Sequence, residues 1–199
     1  MKTRLISLAA CLALCSSVPG FAGDKNKEDD QLIIHMRDYC DPESFNAVLG
    51  PDGCGRDTTS GAITFSGFSA ELVADKSVGA WRFVPEKVHA EKGTQLQIEN
   101  LGGELHTFTE VKRFGGGFVA PLNEASGNLK PAPECAQIVD GNLVPQPPGP
   151  DNLFIPAGGS ASEELEGGHR VVRYQCCIHP WMRLTIKKDN DDNHESHHD

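Results

Sequence analysis

The sequence predicts an all-β protein, a Greek-key β-sandwich with an N-terminal extension and a long loop insertion rich in Gly and Pro. Two observations predict this fold. Several short segments alternate apolar and polar residues with a period of two, and Gly and Pro residues separate these segments. Strands of this kind bury one face and leave the other in water, so we expect half-buried antiparallel strands packed as two sheets.

The N-terminal residues predict export. Lys2 and Arg4 precede an apolar run over residues 5–14, and small residues lead to Ala22. This is the pattern of a secretory signal peptide over residues 1–22, so we expect a periplasmic or secreted protein. The alternative is a lipid-modified Cys11. No segment approaches the roughly 18 to 20 apolar residues that a membrane helix needs, so we expect no membrane span.

The length and charge of the chain limit the number of domains and the classes of binding partner that we expect. Residues 23–199 are long enough for one domain with extensions, and they carry 16 Lys and Arg against 28 Asp and Glu. The formal charge of −12 that follows argues against a nucleic-acid partner. An acidic surface instead attracts a basic protein partner. The oligomeric state cannot be read from the sequence.

Before the sandwich we expect an N-terminal extension over residues 23–60. It starts with a charged lead-in, continues with a short strand-like run from Gln31, and has turn signals around a possible short helix. A disulfide between Cys40 and Cys54 would close this loop.

The sandwich domain is expected over residues 61–188. Short strands begin near Ala62, and a Gly- and Pro-rich stretch over residues 114–151 is expected to loop over the sandwich. An acidic, His-rich tail over residues 189–199 is predicted to be disordered. The residues that define the apolar faces of the strands are Val88, Ala90, Leu96, Ile98, Val172, Tyr174, Leu184 and Ile186.

The segment that predicts chemistry is Tyr174–Ile186, which reads YQCCIHPWMRLTI. It contains Cys176, His179 and Met182 in the spacing CxxHxxM. Thiolate, imidazole and thioether are ligands that copper prefers, and they do not suit calcium or magnesium. A trigonal copper site with a weak axial Met needs one more histidine from elsewhere in the chain.

His106 is the candidate for this second histidine. It follows a turn at residues 100–103 and shares a face with Phe108 at the start of a predicted strand. A ligand at a strand end beside a loop can meet ligands from a second loop.

These two segments together resemble the cupredoxin family of blue-copper proteins, similar to plastocyanin and amicyanin. In that family a strand pair reading FxPxxVxxxxGxxLxIxN leads to the first histidine, and a closing strand leads to Cys, His and Met; here the matching residues lie in 80–111 and 153–187. The resemblance implies one copper ion bound by His106, Cys176, His179 and Met182, with Met182 as the long axial ligand. The 70-residue separation of His106 and Cys176 is longer than is usual in the family, and we attribute it to the insertion.

Two adjacent cysteines cannot both face the same side of a strand. Cys176 shares the apolar face with Tyr174, so it is the expected ligand, and Cys177 is expected to point outward. With the signal peptide removed, five cysteines remain, which leaves one thiol over after two disulfides. Cys40–Cys54 with Cys135–Cys177 is the preferred pairing among the three that four cysteines allow.

A copper ion closed in by four protein ligands has no open position for a substrate, so we expect a one-electron carrier and not an enzyme. The HxH and HCH motifs of multicopper oxidases are absent, and adjacent cysteines do not fit the binuclear copper site of cytochrome oxidase. Trp181 is expected to cover the metal site or form a docking surface, and His179, on a loop near the surface, is the expected exit for the electron. The alternative is copper delivery or storage, with His194, His197 and His198 collecting the ion.

Overall fold

Two β-sheets face each other around an apolar core in the computed structural model of this protein, which describes residues 31–55, 61–166 and 168–188. This arrangement confirms the predicted β-sandwich. The expectations for the signal peptide, the charged lead-in and the tail lie outside the described residues. Within those ranges, no helix is long and apolar enough to cross a membrane.

The regular elements follow one another along the chain with short strands and three brief helices. The strands are β1 (Gln31–Arg37), β2 (Arg82–Val84), β3 (Lys87–Ala90), β4 (Gln95–Asn100), β5 (His106–Glu110), β6 (Ala136–Val139), β7 (Asn142–Pro145), β8 (Asn152–Ile155), β9 (Ser160–Glu164), β10 (Val171–Gln175) and β11 (Arg183–Lys188). The helices are α1 (Pro42–Leu49), α2 (Phe65–Asp75) and α3 (Ala120–Ala125).

The strand order places the ends of β5 and β10 next to each other. One sheet has the order β2-β1-β4-β9 and the other has the order β3-β11-β10-β5-β8. The expectation of purely antiparallel strands is wrong at two places, because β1 pairs with β4 and β3 pairs with β11 in parallel. A parallel pair needs a long crossover connection, and between β1 and β4 the chain passes through α1 and α2.

The segment expected as an extension contributes a central strand. β1 lies between β2 and β4, and its Ile34 and Met36 are fully buried in the common core. The boundary drawn at residue 60 therefore does not separate two packing units. Opposite β1, the second sheet contributes its own apolar face to the same core, and Phe83 contacts Phe108 with ring centroids 5.7 Å apart.

Helix α2 was not predicted. The sequence was expected to form short strands from Ala62 onward, but Thr64 caps a helix by accepting a hydrogen bond from the N–H of Gly67. Phe65, Phe68 and Leu72 recur at the three- and four-residue steps of a helix and pack on the core. The possible short helix before it is confirmed as α1, which Asp41 caps through the N–H of Ser44.

The Gly- and Pro-rich insertion is more regular than a loop. It contains α3 and the hairpin of β6 and β7. Cys135 in this insertion is bonded to Cys177, and the second disulfide joins Cys40 to Cys54, so the preferred pairing is confirmed. Within the described ranges Cys176 is the free cysteine. Cys177 does not point to solvent as expected; it is fully buried, because the insertion covers it.

Candidate metal centre

Two strand ends and one tight loop carry the predicted ligands. His106 is the first residue of β5, and Cys176 directly follows β10, which pairs with β5. The chain then turns back into β11 through residues 176–182. Backbone hydrogen bonds close this turn, from the N–H of Cys176 to the carbonyl of Met182 at 3.1 Å and from the N–H of Met182 to the carbonyl of His179 at 2.9 Å.

The structure brings three of the predicted residues together. The sulfur of Cys176 lies 3.7 Å from Nδ1 of His106 and 3.8 Å from Nδ1 of His179. Their donor atoms all lie within 4.8 Å of one another, the spacing of side chains that can share a metal ion. Cys176 and His106 are fully buried and His179 is 2% exposed. The fourth residue, Met182, is also buried, and its backbone closes the turn around them.

The cysteine sulfur receives two backbone donors. The N–H groups of Thr107 and His179 approach Cys176 Sγ at 3.4 and 3.5 Å. Burial raises the pKa of Cys176, but its hydrogen bonds with His106 and His179 outweigh burial and hold the pKa well below its usual value. Cys176 is therefore prepared to act as a thiolate, the form that binds metals.

A buried carboxylate contacts His106 on the side of the ring away from the cysteine sulfur. Its Nε2 lies 2.8 Å from Oδ2 of Asp38, and both side chains are fully buried. Burial alone lowers the pKa of His106, but the bonds to Asp38 and Cys176 raise it to about 10. Burial likewise raises the pKa of Asp38, but His106 and the N–H groups of Gly103 and Glu104 lower it to about 2. The ring is thereby oriented with Nδ1 toward the sulfur.

His179 also faces a carboxylate through Nε2. Oε2 of Glu104 lies 3.5 Å away, and the same oxygen accepts a hydrogen bond from the indole N–H of Trp81. Burial raises the pKa of Glu104, against the opposing effects of His179 and Trp81. Each imidazole therefore lies between the cysteine sulfur and a carboxylate oxygen.

Aromatic rings cover His179, so the expectation that it approaches the surface is wrong. The ring centroid of His179 lies 5.4 Å from that of Trp181 and 6.4 Å from that of Phe68 in α2. Phe68 in turn packs against Trp81 with centroids 4.8 Å apart. Helix α2 was not predicted, and it is the element that closes this side of the site. Trp181 covers the site as expected.

Sequence reasoning missed Asp38, Glu104 and the aromatic cover. A signal existed for Glu104, because a charged residue two positions before the candidate ligand His106 must lie near it in space. Asp38 had no such signal, since it lies 68 residues from His106 and meets it only through the parallel pairing of β1 with β4.

The chain is similar to cupredoxins of known structure. A purple cupredoxin from Nitrosopumilus maritimus matches with a TM-score of 0.34 and 16% identity over 56% of this chain and 86% of that protein. A Pro-to-Gly mutant of amicyanin, in its reduced Cu(I) form at pH 4, matches with a TM-score of 0.33 and 12% identity over 57% and 78% of the two chains. A Met-to-Ala mutant of amicyanin with Cu(I) matches with a TM-score of 0.32 and 15% identity over 61% and 89%.

No family model and no curated protein matches the sequence. The structural matches have low identities and TM-scores, so the assignment of a metal and of its ligands depends on the residues of this chain.

Proposed function

We propose that this protein is an exported mononuclear blue-copper protein that carries single electrons, with one copper ion held by His106, Cys176, His179 and Met182. The observation that supports it most directly is the buried sulfur of Cys176 between the Nδ1 atoms of two imidazoles. Export is supported by the signal pattern of residues 1–22, together with two disulfides.

The donor set fits copper. Two imidazoles and one thiolate in a trigonal set, with a weak thioether, make up a blue-copper site, whereas structural zinc sites are tetrahedral. Copper bound there would supply a one-electron Cu(II)/Cu(I) couple. All four side chains are at most 2% exposed, so water and substrates are kept from the donor atoms. This closure favours electron transfer over catalysis at the metal.

The surrounding residues limit the movement of the donor atoms. Two backbone N–H groups fix the cysteine sulfur, and Asp38 and Glu104 each hold one imidazole at Nε2. A site that is held in one geometry changes little between its two oxidation states, and rapid electron exchange needs this property.

The route for the electron is proposed to pass through Trp181. His179 is buried, and of the two aromatic side chains that contact it from the cover, Phe68 is 4% exposed while Trp181 is partly exposed. The surface over Trp181 is therefore the proposed contact for a redox protein. The formal charge of −10 of the whole chain supports a basic partner.

The test is the visible absorption and voltammetry of the mature protein with one equivalent of Cu(II). We expect an intense thiolate-to-copper band and a reversible one-electron wave, both lost in Cys176→Ser and strongly changed in His179→Gln. His169→Gln, a matched change of an exposed histidine, should leave both unchanged. A pale spectrum that Cys176→Ser does not alter would overturn the proposal. Rapid, complete transfer of Cu(I) to an acceptor protein, without reversible cycling, would favour copper delivery instead.

A further inference from the structure

Both imidazoles of the site face a carboxylate on the side away from the cysteine sulfur, at hydrogen-bond distance for His106 and at 3.5 Å for His179. Nδ1 of each ring faces the sulfur of Cys176, and Nε2 of each ring faces a carboxylate oxygen, of Asp38 for His106 and of Glu104 for His179. A histidine that donates its second N–H to a carboxylate becomes a more basic and better oriented ligand. Neither carboxylate belongs to the ligand loop.

Asp38 carries a negative charge, as its hydrogen bonds show. Its two oxygens accept from the N–H groups of Cys40, Gly103 and Glu104 at 2.9 to 3.2 Å and face Nε2 of His106 at 2.8 Å. The three backbone groups can only donate, so Asp38 acts as an acceptor throughout, as an ionised carboxylate does. The side chain is fully buried, so little solvent screens its charge.

Glu104 is anchored by the segment that precedes β2. Its Oε2 accepts from the indole N–H of Trp81, which is 1% exposed, and lies 3.5 Å from Nε2 of His179. Its own backbone N–H donates to Asp38, so the two carboxylates belong to one hydrogen-bonded group. The strand β1 ends one residue before Asp38, and Trp81 directly precedes β2.

We propose that Asp38 and Glu104 are paired positioning residues that lower the reduction potential of the bound copper and so favour Cu(II). This inference depends on the proposed copper site. The buried negative charge of Asp38 stabilises the more highly charged ion, and an imidazole whose second nitrogen faces a carboxyl oxygen is more basic and binds Cu(II) better than Cu(I). Asp38 is fully buried and its oxygen is 0.7 Å nearer to its imidazole than that of Glu104, so its effect is larger. Residues 31–55 and 61–81 contribute to the metal centre in this way, through Asp38 and Trp81.

The experiment compares the reduction potentials of copper-loaded wild type, Asp38→Asn and Glu104→Gln. The matched control is Glu99→Gln, because Glu99 also lies beside a histidine, His35, at 3.4 Å, but both of these side chains are partly exposed to solvent. We expect Asp38→Asn to shift the Cu(II)/Cu(I) equilibrium toward Cu(I) by at least tenfold, which is about 59 mV for one electron. Glu104→Gln should shift it less in the same direction, and Glu99→Gln should not shift it.

Pulsed electron paramagnetic resonance gives a second readout. The signals of the imidazole nitrogens that do not bind copper report their hydrogen bonds, and they should change in Asp38→Asn and Glu104→Gln but not in Glu99→Gln. If Asp38→Asn does not fold, as circular dichroism would show, Glu104→Gln decides the question.

The inference and the proposed function can fail separately. An intense thiolate band in all variants, with potentials no higher than that of Glu99→Gln, would overturn the role of the carboxylates and leave the copper site standing. A wild-type protein without such a band would overturn the copper site itself, and with it this inference.

Discussion

Two parts of the chain pack around the strands that lead to the proposed ligands, and they contribute differently to the site. The N-terminal cover, residues 31–55 and 61–81, places Asp38 beside His106 and Phe68 beside His179. The insertion, residues 114–151, is bonded through Cys135 to Cys177, the neighbour of the proposed ligand Cys176. Each part is closed or attached by one disulfide, and it is the N-terminal cover that places a carboxylate beside one imidazole and an aromatic ring beside the other.

This difference separates stability from metal-centre properties. The insertion fixes the backbone at Cys177, whose carbonyl accepts a hydrogen bond from the N–H of Phe118 at 2.9 Å. It supports the backbone beside Cys176, and its Leu122 and Ala125 pack against the core that contains Cys176 and Met182. Changes in either part should therefore lower stability, while changes in the N-terminal cover should also alter the spectrum and potential of bound copper.

Removing the disulfides one at a time should give the largest change in the free energy of unfolding. The Cys135–Cys177 bond closes a loop of 42 residues and the Cys40–Cys54 bond a loop of 14, so on the chain-entropy model their loss costs about 4 and about 3 kcal/mol. The copper spectrum should change in the opposite order, because the N–H of Cys40 donates to Asp38. Urea unfolding and visible absorption of the two Cys→Ala double variants measure both quantities. Equal spectral changes in the two variants would contradict the claim that the N-terminal cover affects the metal centre more than the insertion does.

Two glycine-to-alanine substitutions, one for each part, compare the N-terminal cover with the insertion through a smaller structural change. A Cβ atom on Gly102 would collide with the carboxylate of Asp38, and one on Gly117 would collide with the backbone carbonyl of Cys177. Each Ala variant should lose roughly 2 to 3 kcal/mol through overpacking. Gly102→Ala should also raise the reduction potential, because it displaces Asp38 from His106. A larger shift of the reduction potential in Gly117→Ala than in Gly102→Ala would mean that the insertion, and not the N-terminal cover, controls the metal centre.

Loss of single hydrogen-bonding groups should cost roughly 1 to 2 kcal/mol. Trp81→Phe removes the donor to Glu104, and Asn123→Ala removes a side chain that both accepts from and donates to the backbone of Gly117. Thermal unfolding should show similar losses in the two variants. Only Trp81→Phe should change the copper potential, and a shift of equal size in Asn123→Ala would count against the assignment.

The last prediction concerns the pH dependence of stability that Glu163 causes, a residue outside both the N-terminal cover and the insertion. Burial raises the pKa of Glu163 from its ordinary value of 4.5 to about 7, so the folded state binds a proton that the unfolded state has released. The contribution of Glu163 to stability should therefore be fully present below pH 4.5 and be lost as the pH rises through about 7. Glu163→Gln should flatten this slope in urea titrations without altering the copper spectrum. The groups that influence Glu163 are Tyr174, Glu110, Asp151 and Glu166.

Local pattern could predict that Cys176 is buried, while its ligand role stays a prediction. The period-two alternation of β10 placed Cys176 on the apolar face, and the structure buries it between His106 and His179. The ligand role of Met182 stays a prediction. Local pattern did not show that α2 covers His179, since this contact joins parts of the chain more than 100 residues apart.

Asp38 shows most clearly what sequence pattern could not predict. A single charged residue after a strand is typical of a solvated turn, and nothing near it in the sequence indicates a buried partner. Its place beside His106 depends on the parallel pairing of β1 with β4, and the connection between those strands runs through helices that the alternation does not predict. Contacts of this kind follow from topology and not from spacing.

The most direct test of the central claim is copper-edge X-ray absorption of the mature protein with one equivalent of Cu(II). We expect the copper to be surrounded by one short thiolate sulfur and two imidazole nitrogens, and the sulfur to be lost in Cys176→Ser. A shell of nitrogen and oxygen alone, unchanged in Cys176→Ser, would place the ion away from Cys176 and contradict the account.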